Sequence, residues 1–313
     1  MSAPRAAVDV GSNSVRLLVV AGDGRRLTRR LTITRLAAGV DRTGVLDDAA
    51  LDRTLEAIAA YREVWRGFGV TDRVRVAATS AVRDASDRDR FFGAVRGVAG
   101  VDAEVLSGDE EAALAFRGAV GAVEVGDGPV AVVDIGGGST ELILGQADGT
   151  VTASVSLQLG CVRLAERHLH GDPPMSAEVE AGRALVADQL DHAANLLGAR
   201  GASLSDTRTL VAVAGTATTL AALHAGLDAY EEDRIHGTRV PAAALRDLTE
   251  RLLGMRTAAR AALGPMQPGR EDVIHAGAVV LEGVVARSGA AEVVVSEADG
   301  LDALAASLAA PSG

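Results

Sequence analysis

One short string occurs twice in this chain, 125 positions apart, and it constrains the fold more than any other feature. Val8-Asp9-Val10-Gly11-Ser12-Asn13-Ser14 lies on Val133-Asp134-Ile135-Gly136-Gly137-Gly138-Ser139. Each copy is an apolar run ending in Asp, then Gly and small polar residues, then a second apolar run at 17–20 or 142–144. A repeat of about 20–50 residues predicts a solenoid. This spacing instead predicts two domains on one plan, and 313 residues suffice for both. Gly126-Asp127-Gly128-Pro129 is the best linker, so the expected domains are 1–124 and 125–313.

Strand and helix patterns alternate along the chain, which predicts an α/β fold. Strands are expected at 6–10, 16–20, 74–78, 130–135, 141–144 and 211–214. Leu51, Leu55, Ile58, Trp65 and Phe68 recur at helical spacing. Ser107 and Glu110 form a capping box before a helix carrying Ala112, Leu114, Ala115 and Phe116. A long helical region follows Asp172-Pro173-Pro174. The charge-poor stretch 209–227 reads as strand, loop and helix, not as a membrane span.

Composition removes several chemistries. All 31 formal positive charges are arginines, because the chain contains no lysine. That excludes a Walker A loop and any Schiff-base or Ser–Lys mechanism. A net charge of −11 and seven aromatics argue against a nucleic-acid partner. With so few aromatics, Leu, Val, Ile and Ala must fill the core. The single cysteine, Cys161, excludes an intrachain disulfide and a cysteine zinc site. The start runs into a strand pattern without a signal-peptide core, so a cytoplasmic protein with no membrane association is expected.

The small residues of each repeat let backbone amides approach an anion closely. Gly136, Gly137 and Gly138 give maximal access, and Ser139 and Thr140 add hydroxyls. Ser12, Asn13 and Ser14 supply side-chain donors, with Arg16 just beyond. Ordinary hairpins use the same residues, but Asp9 and Asp134 beside such turns are what a Mg2+ site requires. Gly215-Thr216-Ala217-Thr218-Thr219 ends another strand and opens a helix, where free amides suit phosphate; it equally fits a Thr-capped strand–helix junction. Arg83, after the 74–78 strand, can grip a phosphate with two donors or pair with Asp84. Glu110 and Glu111 suit the dipole of a helix start, and nothing local marks either as chemical. His168 and His170 lack further ligands at metal spacing. Gly126-x-Gly128-x-x-Ala131 mimics a dinucleotide fingerprint but precedes its strand.

Seven strings in order are familiar together: 9–17, 79–85, 107–112, 134–142, 159–164, 215–218 and 270–274. They resemble the exopolyphosphatase/guanosine pentaphosphate phosphohydrolase (Ppx/GppA) family over about residues 6–302. The resemblance implies the two-domain actin-like/sugar-kinase superfold, with duplicated βββαβα-type domains, an interdomain cleft and a C-terminal helix at about 301–311 returning to the first domain. It implies Mg2+ (or Mn2+) as cofactor, inorganic polyphosphate or guanosine penta/tetraphosphate as partner, and a homodimer. It carries the catalytic base onto Glu111, and metal and water positioning onto Asp134 and Glu141, with Asp9 as a further metal residue. Ser12, Asn13, Ser14, Arg16, Arg83, Gly136, Gly137, Gly138, Ser139 and Thr216 would bind phosphate.

The expected activity is hydrolysis of the terminal phosphoanhydride of short polyphosphate, with guanosine pentaphosphate as the alternative substrate. A kinase or ATPase of the same superfold and a sensor without turnover are the competing classes. The sequence stops near residue 313, without the added helical domain of longer members, so processive action on long chains is not expected. Three features depart from the pattern: acidic Glu297, Asp299 and Asp302 where many members read closer to Gly-Leu-Arg, and His275 where a small or apolar residue is commoner.

Overall fold

A computed structural model describes residues 3–38 and 40–309. Two compact units divide the chain, one drawn from Met1–Gly118 and Gly300–Gly313, the other from Ala119–Asp299. The division falls in the last turn of a helix, ahead of Gly126–Pro129.

The first unit opens with β1 (Arg5–Val10), β2 (Ser14–Val20) and β3 (Arg26–Ile33). Helices α1 (Val40–Thr43) and α2 (Asp48–Gly67) lead to β4 (Val74–Ala78). Then α3 (Ser80–Asp84) and α4 (Arg88–Ala99) precede β5 (Ala103–Val105), and α5 (Gly108–Val120) follows. The sheet order is β3-β2-β1-β4-β5, with β1–β2–β3 antiparallel and β1, β4 and β5 parallel.

Alternation along the strands sorts side chains between two faces. Val8, Val10, Val15, Leu17, Val76 and Ala78 pack with Leu51, Ile58 and Trp65 of α2 and Phe91 and Val95 of α4. The Asp47 carboxylate caps α2 by accepting from Ala50 N at 2.9 Å. Phe68, at helical spacing in the sequence, lies past the helix end and is exposed, because Gly69 at φ +79° turns the chain away.

The second unit contains β6 (Pro129–Ile135), β7 (Thr140–Gln146), β8 (Val151–Leu157), α6 (Cys161–His168) and α7 (Ser176–Gly198). It continues with β9 (Thr209–Val213), α8 (Ala214–His224), α9 (Glu232–Ile235), β10 (Arg239–Pro241) and α10 (Ala242–Leu253). Helices α11 (Thr257–Ala261) and α12 (Ile274–Ser288) and strand β11 (Glu292–Val295) complete it. Its sheet order is β10-β11-β9-β6-β7-β8. Without the edge strand β10, this is the order of the first sheet, with β6 in the place of β1. The duplication expected from two seven-residue strings therefore extends over both sheets. Leu, Val, Ile and Ala dominate this core, as the lack of aromatics requires. The stretch 209–227 forms β9 and α8, and no described helix is long and apolar enough to cross a membrane.

The chain then returns to the first unit as α13 (Gly300–Ala306); the helix expected at about 301–311 ends at Ala306, residues 307–309 turn away from it, and 310 and 311 lie outside the described residues. Leu301, Leu304 and Ala305 cover the second sheet face at Ala7, Leu18, Val20 and Ala77. Arg5 Nε donates to Ala305 O at 2.9 Å. Asp302 pairs with Arg29 of β3 at 3.0 Å, so this member of the acidic C-terminal motif ties helix to sheet.

His275 in the first turn of α12 is buried, and neither ring nitrogen has a hydrogen-bond partner among the described residues. Burial, reinforced by the Arg260 guanidinium and opposed by Asp172, pushes its pKa down to about 4. A neutral imidazole therefore fits the folded state, while the unfolded chain takes up a proton near pH 6.5. Stability present above pH 6.5 is lost as pH falls toward 4, by about 3 kcal/mol. Denaturant titrations from pH 7 to 4 should show a shallower loss in His275→Leu than in the parent chain. Parallel losses would refute this assignment.

Candidate active site

In the first unit, β1 and β2 are joined by a tight turn in which Gly11 N donates to Ser14 O at 2.9 Å. Across the ladder Asp9 faces Arg16, and Arg16 donates to Asp9 Oδ2 from Nε at 3.0 Å and from Nη2 at 2.6 Å. An expected metal residue and an expected phosphate residue thus hold each other. The carbonyls of Ser12 and Asn13 accept from Ala37 N, Thr34 N and Arg35 N, anchoring the turn to the segment after β3. Ser12 Oγ lies 2.8 Å from Ser80 Oγ at the start of α3. That helix carries Arg83, whose Nη1 donates to Leu106 O at 3.0 Å and lies 3.6 Å from Glu111 Oε2. Asp84 is at 3.7 Å from Arg83 Nε, so the guanidinium sits between two carboxylates.

The neighbouring glutamates divide their roles at the start of α5. Glu110 Oε2 accepts from the Ser107 amide and hydroxyl, each at 2.8 Å, and Glu110 N donates back to Ser107 Oγ at 3.2 Å. These bonds hold the Glu110 carboxyl below the usual range. Glu111, one position on, points its carboxylate to Arg83 instead.

The second unit repeats the turn. Gly136 N donates to Ser139 O at 3.0 Å, and Asp134 faces Glu141 where Asp9 faces Arg16. Ser156 of β8 donates to Glu141 Oε1 at 2.9 Å. The N-terminus of α6 folds over this turn. Cys161 N donates to Gly136 O, and Val162 N and Arg163 N both donate to Gly137 O, all at 3.0 Å. Arg163 Nε donates to Gly138 O at 2.8 Å. The three glycine carbonyls are thereby consumed. Among the described residues nothing accepts from the amides of Gly137, Gly138 or Ser139, and Gly137 and Gly138 are exposed. Clusters of adjacent unspent N–H groups are the kind of feature that binds anions in proteins.

Gly160 makes this approach possible. A Cβ there would overlap the Gly137 carbonyl oxygen and lie 2.5 Å from its carbon and 2.6 Å from Gly138 N. Thr216, in the first turn of α8, is buried and reaches the same turn indirectly: its side chain lies beside the Cys161 thiol and offsets part of the upward shift that burial gives it, and the Cys161 amide serves Gly136. Burial raises the Cys161 pKa, so the group is a thiol packing element. Gly277 of α12 presses on Thr216, since a Cβ there would come within 2.6 Å of its Oγ1. Gly160, Arg163, Ser80 and Gly277 carried no local signal of these roles; each acts on a partner remote in sequence or through space it leaves empty.

A preformed cage of three or more His, Cys, Asp or Glu side chains is absent among the described residues. Asp134 and Glu141 lie opposite each other on β6 and β7, and Arg16 bonds Asp9 on the first unit's hairpin.

Comparison with known proteins bears on the whole chain. Exopolyphosphatase 2 of Mycobacterium tuberculosis is 45% identical over 320 aligned residues, covering 97% of this chain and 98% of that one. A guanosine-5'-triphosphate,3'-diphosphate pyrophosphatase of Vibrio atlanticus is 35% identical over 59% of this chain and 38% of its own. The crystal structure of the type II variant of the Aquifex aeolicus Ppx/GppA phosphatase superposes with a TM-score of 0.87 at 26% identity, over 97% of this chain and 99% of that one. The Ppx/GppA phosphatase family itself matches residues 19–298, and the chain, with its duplicated actin-like α/β plan, belongs to that family.

Proposed function

We propose that this chain is an exopolyphosphatase, which releases the terminal phosphate of short inorganic polyphosphate with water as acceptor. The observation that carries the reading is the Gly136–Ser139 turn, with every glycine carbonyl occupied and its amides unspent. Those amides, with the Ser139 hydroxyl, bind phosphoryl oxygens. Ser12, Asn13 and Ser14 do so on the first unit's turn, and Arg83 contributes a permanent charge. Phosphoryl transfer depends on positioning and charge neutralisation more than on covalent chemistry. Asp134 and Glu141 would hold a divalent metal, which when bound would supply charge neutralisation to the terminal phosphate. Glu111 accepts the proton of the attacking water, and the shortened chain leaves in line. Arg83 Nη1 lies 3.6 Å from the Glu111 carboxylate that would take this proton. A single cysteine and the absence of a membrane-crossing helix among the described residues suit a cytoplasmic enzyme.

The test is phosphate release with Mg2+ or Mn2+ from tripolyphosphate, long polyphosphate, guanosine pentaphosphate and ATP in parallel. Release from tripolyphosphate, lost on chelation, is the expected result. Release from guanosine pentaphosphate alone would move the assignment to that substrate. Binding without release from any of the four would leave a sensor.

A further inference from the structure

The turn at the head of α8 is held more firmly than a strand–helix junction requires. Ala214 takes a left-handed φ of +66° without being glycine. A side chain in that region persists only where its surroundings over-determine it. Those surroundings can be named. Arg270 Nη1 donates to Gly215 O at 3.1 Å and to Thr219 Oγ1 at 2.7 Å. The Arg270 guanidinium lies over the Tyr230 ring, 5.6 Å from its centroid. The Tyr230 hydroxyl bonds Thr218 Oγ1 at 2.8 Å and the Glu297 carboxylate at 2.6 Å. Glu297 is fixed in turn: its amide donates to His236 Nδ1 at 3.1 Å, which leaves the His236 proton on Nε2, 2.7 Å from Ala122 O.

We propose that Tyr230 and Glu297 are positioning residues for the Gly215–Thr219 turn, acting through Arg270 and Thr218. The inference rests on the exopolyphosphatase reading and on the sequence expectation that Thr216 of this turn belongs to the phosphate site. It gives a role to Glu297, one of the acidic residues that depart from the family pattern. Burial and the bond to Glu297 push the Tyr230 pKa up to about 12, so the phenol stays a hydrogen-bond donor at working pH. Glu297 is a hydrogen-bond acceptor here, and its charge is secondary.

Steady-state hydrolysis of tripolyphosphate with Mg2+ tests this. Tyr230→Phe keeps the ring under Arg270 and removes both hydroxyl bonds; Glu297→Ala removes the acceptor. Each should raise KM about tenfold, the size of a lost bond to a charged group, with kcat within about twofold. Glu297→Gln, which still accepts, should restore most of the loss. Should Glu297→Ala fail to fold, Thr218→Val removes the other bond of the Tyr230 hydroxyl, the one to the turn itself, and should raise KM alike. Unchanged KM in Tyr230→Phe and Thr218→Val, or a lowered unfolding midpoint with wild-type kinetics, would overturn the proposal. An inactive parent chain would instead overturn the exopolyphosphatase reading and this inference with it.

Discussion

Glu111→Gln should lower turnover of tripolyphosphate by about 10²–10⁴-fold, the usual contribution of a general base, while leaving substrate affinity close to that of the parent. The amide keeps the size and dipole of the side chain but accepts no proton from water at neutral pH. The neighbouring glutamate supplies the control. Glu110 spends its carboxylate on the Ser107 amide and hydroxyl, so Glu110→Ala loosens the start of α5 and lowers the unfolding midpoint without a comparable loss of kcat. Arg83, 3.6 Å from Glu111 Oε2, would lose one of its two carboxylate neighbours in Glu111→Gln and keep Asp84. If Glu111→Gln turns over at the parent rate, or if Glu110→Ala suffers the larger loss in kcat, the base has been placed on the wrong residue.

That pair also shows where the sequence was legible. Ser107 and Glu110 at capping-box spacing announced the helix start, and the observed bonds are those the spacing predicts. Nothing local separated Glu111 from Glu110, since both suit a helix dipole. The distinction depends on Arg83, brought near by the packing of a different element. The two hairpins were legible for a similar reason: an apolar run stopped by Asp-x-Gly leaves few alternatives, and the run repeats. Strand β3 was not legible. Its sequence puts Leu31 and Ile33 in exposed positions among arginines, and only the ladder with β2 makes it a strand. The third turn was half legible. The 211–214 run correctly marked β9, but Ala214 leaves the strand with φ +66°, a conformation that side-chain pattern does not encode. The fold of α6 over the glycine turn was invisible, because it depends on a side chain that Gly160 lacks.

Gly160→Ala should therefore be far more damaging than its single methyl suggests. The φ of −142° at Gly160 is open to any residue, so the backbone conformation does not demand glycine. The obstacle is steric: the new Cβ would meet the Gly137–Gly138 peptide, and backbone atoms cannot rotate aside. Either α6 retreats, weakening the bonds from Cys161, Val162 and Arg163 to the glycine carbonyls, or the turn itself moves. Overpacking of this kind costs about 1–3 kcal/mol. The same displacement reaimes the amides of Gly137 and Gly138, so kcat/KM for tripolyphosphate should fall by at least about tenfold, the size of one lost charge-assisted bond. Gly137→Ala tests the distinction between backbone and side-chain obstruction, since its Cβ would meet only Val162 Cγ2, at 3.2 Å, and a side chain can yield. It should fold more stably than Gly160→Ala. Gly198→Ala, at the end of α7 with open space around it, should match or exceed the parent in stability. A Gly160→Ala protein with the parent's unfolding midpoint and kcat/KM would mean that the close approach of α6 neither supports the turn nor shapes its amides.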